Sequence, residues 1–294
     1  MARNAGQGSR LRLRRLLLVA AAPVIAAGGA GAAGAALPAC SCGDSARATK
    51  ITVTGSSTVA PLVAEIGKRF EAARPGVRVD VQAGGSARGI ADARSGLADI
   101  GMVSRALKDD ERDLRPVAIA RDGVCLIVHR DNPVAALTDE QVVAIYTGRA
   151  TRWSEVGGRD APITVVNKAE GRSTLELFLH HFKLRTTDVR AQVVIGDNEQ
   201  GIKTVAGNPD AIGYVSVGTA EVDARAGVPI KLLAVGGVAA STESVARGAF
   251  PLSRPLHLVT RAAPEGLVKE LLDFASSPAV HDLVRAQAFV PLAR

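Results

Sequence analysis

Aromatic side chains are scarce in this chain, whose 294 residues hold 6 Phe, 2 Tyr and 1 Trp. A base-stacking nucleic-acid platform and an aromatic carbohydrate cleft both need flat π faces, so both are disfavoured. Cysteine is scarcer still: Cys40, Cys42 and Cys125 are too few for a disulfide framework. Cys40-Ser41-Cys42 is too tightly spaced and too isolated for zinc, and the five histidines show no HExxH or comparable ligand spacing. No metal or organic cofactor is expected. The Ser-rich turns lack the Gly-x-Ser-x-Gly form of a nucleophile elbow and have no assignable His/Asp partners, so an enzyme is not expected either. The body of the chain also lacks a basic run. Residues 1–39 carry Arg3, Arg10, Arg12, Arg14 and Arg15 and no acid; without them 31 basic side chains face 29 acidic ones. Most of the +7 net charge therefore belongs to the leader, and nucleic acid is not an expected partner.

The composition, 47% hydrophobic and 22% charged, supports a sizeable core and excludes wholesale disorder. Residues 1–39 read as a signal peptide or membrane-targeting leader: a cationic stretch ending at Arg15 precedes an uncharged run from Leu16 to Ala39. An uncleaved anchor is the alternative, since about 20 apolar residues can span a bilayer. Leu37-Pro38-Ala39-Cys40 resembles a bacterial lipobox, which makes Cys40 the expected lipidation site and residues 40–49 a tether of small and polar residues. The expected location is outside the cytoplasm, periplasmic or cell-surface, and tethered to the membrane only through the N-terminus.

From Lys50 onward, short β-branched runs alternate with helical patterns, the signature of an α/β protein with mostly parallel strands. Strands are predicted at Ile51–Thr54, Ile100–Val103, Ile163–Val166, Val193–Ile195, Ile212–Val215 and Leu256–Thr260. Val77, Val79 and Val81 alternate with Arg78 and Asp80, as in a half-buried strand. Val124–Val128 has the pattern of a buried strand, in which Cys125 is an inert small hydrophobe. Leu62, Ile66 and Phe70 fall on one helix face, as do Leu175, Phe178, Leu179 and Phe182. Thr138-Asp139-Glu140-Gln141 reads as a capping box opening a helix to Tyr146, and another helix is predicted from Glu265 to Ala275.

Three places share one design, a strand running into a Gly/Ser/Thr turn that opens a helix: Gly55-Ser56-Ser57-Thr58, Gly84-Gly85-Ser86 and Gly171-Arg172-Ser173-Thr174. The first turn of a helix leaves backbone N–H groups unpaired and concentrates about half a positive charge. Such termini suit tetrahedral oxyanions, and hydroxyls add donors. One such turn is ordinary capping chemistry. Three in one chain point to an anion site.

At these residues the chain resembles the substrate-binding component of bacterial phosphate ABC importers, a periplasmic-binding-protein family. The match runs from about Ile51 to Leu292 through GSSTVAP, GGSARGI, ADIGMVSR, IYTGRATRWSEVGG, PDAIGYVSVG, FPLSRPLHLVT and FVPL. The resemblance implies an α/β, two-lobed periplasmic-binding-protein fold of type II, with the ligand cleft between lobes. Residues 50–124 and 254–294 would form lobe 1 and residues 125–253 lobe 2, with crossings near Arg121–Val128 and Phe250–Leu256. Carried across position by position, it makes Ser57, Thr58, Ser86 and Ser104 phosphate contacts, with Arg105 a candidate charge for the cleft. The third turn departs from the family pattern: Lys168 stands where an arginine is usual, and Arg172-Ser173-Thr174 replaces Ser-Gly-Thr. Ser104 occupies the position at which some members use a carboxylate to accept phosphate's proton, leaving Glu170 as a substitute. The implied function is capture of inorganic phosphate by a monomer that delivers it to an ABC transporter membrane permease. Sulfate or molybdate binding, a secreted phosphate sensor and a phosphate-ester hydrolase are the alternatives.

If the leader is processed at the lipobox, intact-mass analysis of membrane-extracted protein finds a lipidated chain beginning at Cys40, and Cys40→Ala releases it from membranes. A mature chain that starts elsewhere removes the lipoprotein expectation.

Overall fold

A computed structural model describes residues 49–292; the leader, Cys40 and the tether up to residue 48 lie outside the described residues. The first half runs β1 (Thr49–Gly55), α1 (Ala60–Ala72), β2 (Val77–Ala83), α2 (Ser86–Ser95), β3 (Ile100–Val103) and β4 (Arg115–His129). There follow α3 (Asp139–Tyr146), β5 (Thr164–Lys168), α4 (Ser173–His181), β6 (Val193–Ile195), α5 (Asn198–Ala206) and β7 (Ala211–Ser216). The chain closes with α6 (Val217–Arg225), β8 (Ile230–Leu232), α7 (Thr242–Ala246), β9 (Ser253–Thr260), α8 (Gly266–Ala275) and α9 (His281–Ala286).

The strands join in the order β2-β1-β3-β9-β4-β7-β5-β6, with β8 also on β4. The sheet is mixed rather than mostly parallel: four pairings are parallel and four antiparallel. Strand-turn-helix units set the parallel wings, β2-β1-β3 and β7-β5-β6. The middle is antiparallel because β4 runs out from one wing and β9 runs back, a return that carries no helix-period signal. Residues Arg115–Gly123 of β4 pair with β9, whereas Val124–Val128 pair with β7. One strand thus belongs to two halves, changing partners at Gly123. A Cβ at Gly123 would sit 2.9 Å from the Phe250 ring and 3.0 Å from Val217 and Val245, so close packing at the junction requires glycine there.

Each half has its own core. Leu62, Ile66 and Phe70 of α1 pack with Ile51 and Val53 of β1 and Ile100 and Met102 of β3. In the other half Phe178 of α4 stacks on Tyr214 of β7, with ring centroids 4.0 Å apart, and Tyr146 of α3 closes on both. Leu175, Phe178 and Phe182 are buried as the stripe predicts, while Leu179 is only half-buried at its edge. The capping box forms: Thr138 Oγ1 accepts from the Gln141 N–H at 3.2 Å, and the Gln141 side chain accepts from the Thr138 N–H at 2.9 Å. Cys125 is buried and free, and burial, followed by the nearby Asp122 carboxylate, pushes its thiol up.

Gly55 ties the first two glycine turns together. Its carbonyl accepts from the N–H groups of Gly84 and Gly85 at 2.7 and 2.8 Å, and its φ of +132° lies where side chains are strained. A Cβ there would meet the Met102 carbonyl oxygen at 2.4 Å, a backbone atom that no rotamer change can move. Gly55→Ala is expected to destabilise the protein by at least about 1–3 kcal/mol, the range for a forced backbone conformation. A urea midpoint lowered at unchanged slope checks it.

Candidate functional site

The three glycine turns converge, and each leaves donors free. The backbone N–H groups of Ser57 and Thr58, just before α1, have no acceptor among the described residues, nor do those of Ser86, Ser173 and Thr174 in the first turns of α2 and α4. Ser173 Oγ is buried without a partner. Unpaired buried donors of this kind mark a place where something else accepts. The second and third turns touch directly, the Ala87 N–H donating to the Gly171 carbonyl at 3.2 Å. A Cβ on Gly85 would lie 2.7 Å from that carbonyl oxygen, which explains why glycine precedes Ser86.

At the centre is Arg254, the second residue of β9. Its Nε and Nη2 donate to Asp122 Oδ2 at 3.2 and 2.8 Å, and both side chains are 1% exposed. Asp122 lies directly opposite on β4, so the antiparallel register builds the pair. Ser216 Oγ donates to the other Asp122 oxygen at 3.0 Å, and the Gly218 N–H reaches it at 3.4 Å. Arg254 also organises the hydroxyls: Nη1 donates to Thr174 Oγ1 at 3.0 Å and Ser104 Oγ at 3.4 Å, and Nη2 to Thr58 Oγ1 at 3.4 Å. A hydroxyl that accepts from a cation must turn its own hydrogen elsewhere. Ser104 accepts from Ser56 Oγ as well, at 3.0 Å, and its N–H donates to Ser86 Oγ at 3.3 Å.

Lys168, at the end of β5, is 3% exposed and donates from Nζ to Asn198 Oδ1 at 3.0 Å. Asn198 opens α5 and reaches across to Thr58 Oγ1 at 3.4 Å. The stacked Tyr214 fixes this strand end, since its hydroxyl donates to Asn167 Oδ1 and accepts from the Lys168 N–H at 3.3 Å. Burial, then the positive charge of Arg254, pushes the Lys168 ammonium down to about 7; Asp197 opposes the shift and Arg172 adds to it. Arg172, the residue before α4, is partly buried and its Nη1 reaches Ser57 Oγ at 3.4 Å, bridging the two halves.

Of the residues singled out in the sequence, Ser57, Thr58, Ser86, Ser104, Lys168, Arg172, Ser173 and Thr174 are brought together. Arg105 is not. Its Nη1 and Nη2 donate to Glu111 at 2.6 and 2.8 Å, and its Nε lies 2.6 Å from Glu176 Oε2, so two carboxylates occupy the guanidinium intended for the cleft. Glu170, the carboxylate offered as a substitute proton acceptor, is exposed. Arg254, Asp122 and Asn198 went unnoticed. Their signal was present: Arg254 occupies the inward phase of β9 shared with Leu256 and Leu258, where an unpaired arginine has no place. Among the described residues no group of three or more His, Cys, Asp or Glu side chains is placed to hold a metal ion.

Known proteins share this arrangement of the chain. The profile of the PBP superfamily domain matches residues 41–279. The phosphate-binding protein PstS of Bacillus subtilis (strain 168) is 28% identical over 255 residues, spanning 85% of this chain and 83% of that protein. A Clostridium perfringens crystal structure described as a phosphate ABC transporter substrate-binding protein with bound phosphate superposes with a TM-score of 0.76 at 31% identity, covering 83% of this chain and 100% of that one. An ABC-type phosphate transport receptor from Vibrio cholerae does so with a TM-score of 0.69 at 30% identity, covering 82% and 99%.

Removing one partner of a buried ion pair strands the other charge, at a cost of about 3–5 kcal/mol, whereas replacing both with apolar side chains is often near neutral. Asp122→Leu is therefore expected to lower stability by that amount and Asp122→Leu/Arg254→Met by much less, as read in urea unfolding. Additive losses would show that Arg254 and Asp122 are energetically independent.

Proposed function

The chain belongs to the PBP superfamily, and from that premise we propose that it is an extracytoplasmic solute-binding protein that captures inorganic phosphate and delivers it to the permease of an ABC transporter. It is a binding protein and not an enzyme. The observation that carries the reading is the convergence on Arg254 of hydroxyls from both halves, Thr58 and Ser104 on one side and Thr174 on the other, beside the unpartnered Ser173 Oγ. A tetrahedral oxyanion accepts from many directions at once, which is what hydroxyls and free N–H groups gathered from separate turns can satisfy. The bound phosphate described for the Clostridium perfringens relative supports phosphate over other anions.

Residues 50–124 with 254–294 act as one lobe and residues 125–253 as the other, hinged where β4 and β9 cross between the two cores. Phosphate enters from the groove of about 520 Å³ along Ser57, Thr58, Asn198 and Thr219, and the lobes close over it. Arg105 and Lys108, which face Glu176 of α4 at 2.6 and 3.1 Å, latch the closed form away from the ligand. No described helix is long and apolar enough to cross a membrane, and attachment rests on lipidated Cys40 outside the described residues. The protein acts as a monomer.

Calorimetry with phosphate, sulfate, arsenate and molybdate tests the reading, with phosphate expected to bind and sulfate or molybdate much more weakly. Ser57→Ala and Ser86→Ala each remove one hydrogen bond to a charged ligand, worth about 1.5–3 kcal/mol, or roughly tenfold to a hundredfold in affinity. Unchanged affinity in both variants, with the fold intact, would place the anion elsewhere. Closure is checked separately by small-angle scattering, where saturating phosphate is expected to compact the protein, and by a melting temperature that climbs with ligand concentration.

A further inference from the structure

The buried charges of the cleft do not balance. Arg254 has its counter-charge in Asp122, 2.8 Å away. Lys168 is as deeply buried, yet among the described residues no carboxylate oxygen lies within 4 Å of its Nζ, and Asn198 Oδ1 is the acceptor it has for three possible protons. The Asn198 amide oxygen carries no charge and is shared with the Ser216 N–H at 3.4 Å. An ammonium removed from water with no anion beside it is costly, and the usual resolution is loss of the proton.

The groups around Lys168 favour that resolution. Arg254 of β9 and Arg172 before α4 are both cationic and both disfavour a third positive charge, while Asp197 before α5 is the one carboxylate that pulls the other way. Asp122 is already committed to Arg254, Ser216 and Gly218. Tyr214 of β7 contributes no charge, because burial pushes its phenol up. Burial and Arg254 together bring the ammonium down to about 7.

We propose that Lys168 is a neutral amine in the empty cleft and becomes an ammonium when the anion binds, so that the site takes up phosphate together with one proton. This rests on the phosphate reading above. The lone pair of Nζ makes Lys168 a hydrogen-bond acceptor, which an arginine at the same place never is. When monobasic phosphate arrives, its P–O–H proton passes to Nζ: an O–H bond breaks, an N–H bond forms, and the ligand becomes the dianion beside a new cation. When dibasic phosphate arrives, the same proton is given up by the acid form of the buffer, which is left as its conjugate base, and the complex is identical. Lys168 thus does the work for which Ser104 lacks the chemistry and the exposed Glu170 the position, and it supplies its charge only when the ligand is there to balance it.

Phosphate titrated into the purified protein at pH 8, in two buffers with very different ionisation heats, reads the proton count directly. Uptake approaching one proton per phosphate is expected, with affinity falling about tenfold per pH unit between pH 8 and 9, since a one-unit change in proton availability is a tenfold change in the linked equilibrium. Lys168→Arg keeps a permanent cation and is expected to bind with uptake near zero and a flat affinity over the same range. Lys168→Met, which removes the buried amine, is expected to stay folded, melt no lower than the parent and show no uptake. Zero uptake by the parent, or equal uptake by the parent and Lys168→Arg, would overturn the proposal while leaving phosphate binding in place. No phosphate binding by the parent at any pH would instead overturn the function on which it rests.

Discussion

A guanidinium 1% exposed to solvent survives folding only if something meets each of its donors, and in this protein that requirement arranges the site. Asp122 takes the charge from directly across the β4–β9 ladder, and Thr58, Ser104 and Thr174 take the remaining N–H groups. Those hydroxyls come from the segments that follow β1, β3 and β5, so satisfying one side chain draws three segments and both halves of the molecule together. Because each hydroxyl accepts from Arg254, its own hydrogen faces away from the arginine. The pair stands where β4 exchanges one neighbour for another, which joins the polarity of the cleft to the backbone crossing between the two cores.

This constraint is also what the sequence hid. Capping chemistry and helix stripes are local: the Thr138 capping box and the Leu62/Ile66/Phe70 face depend on residues a few positions apart, and the structure shows them as read. Arg254 and Asp122 are 132 positions apart, and neither has a local pattern that names the other. The apolar end of β4, Val124–Val128, was legible as a strand, but Arg121 and Asp122 interrupted the apolar run and concealed the 15-residue strand that joins the halves. The opposite error occurred at Arg105. Its position beside Ser104 suggested the cleft, yet Glu176 on α4 approaches it only in the folded chain, and Glu111 grips it through two parallel hydrogen bonds. Basic side chains near an anion site divide by what already neutralises them. Arg105 and Arg254 have carboxylates, and Lys168 has none within 4 Å among the described residues.

That division bears on why closure should wait for ligand. Among the hydrogen bonds across the cleft, Arg172–Ser57 and Asn198–Thr58 at 3.4 Å, Ala87–Gly171 at 3.2 Å and Arg254–Thr174 at 3.0 Å each have at least one neutral partner, so each offers only modest help in holding the halves shut. Shutting them nevertheless gathers Arg254, Arg172 and the Lys168 amine near one another, where the Asp122 carboxylate is already used by Arg254. The Arg105–Glu176 pair helps at the periphery, but it must be stripped of water to form, which removes much of its gain. On the proposed reading, an anion in the middle changes the sign of the balance: it accepts from the free N–H groups of three turns, receives the hydrogens that Arg254 has turned outward, and gives Lys168 the partner beside which it takes up its proton. On that reading the closed arrangement is complementary to protein plus anion rather than to protein alone, and the proposed hinge on β4 and β9 stays open until the anion arrives.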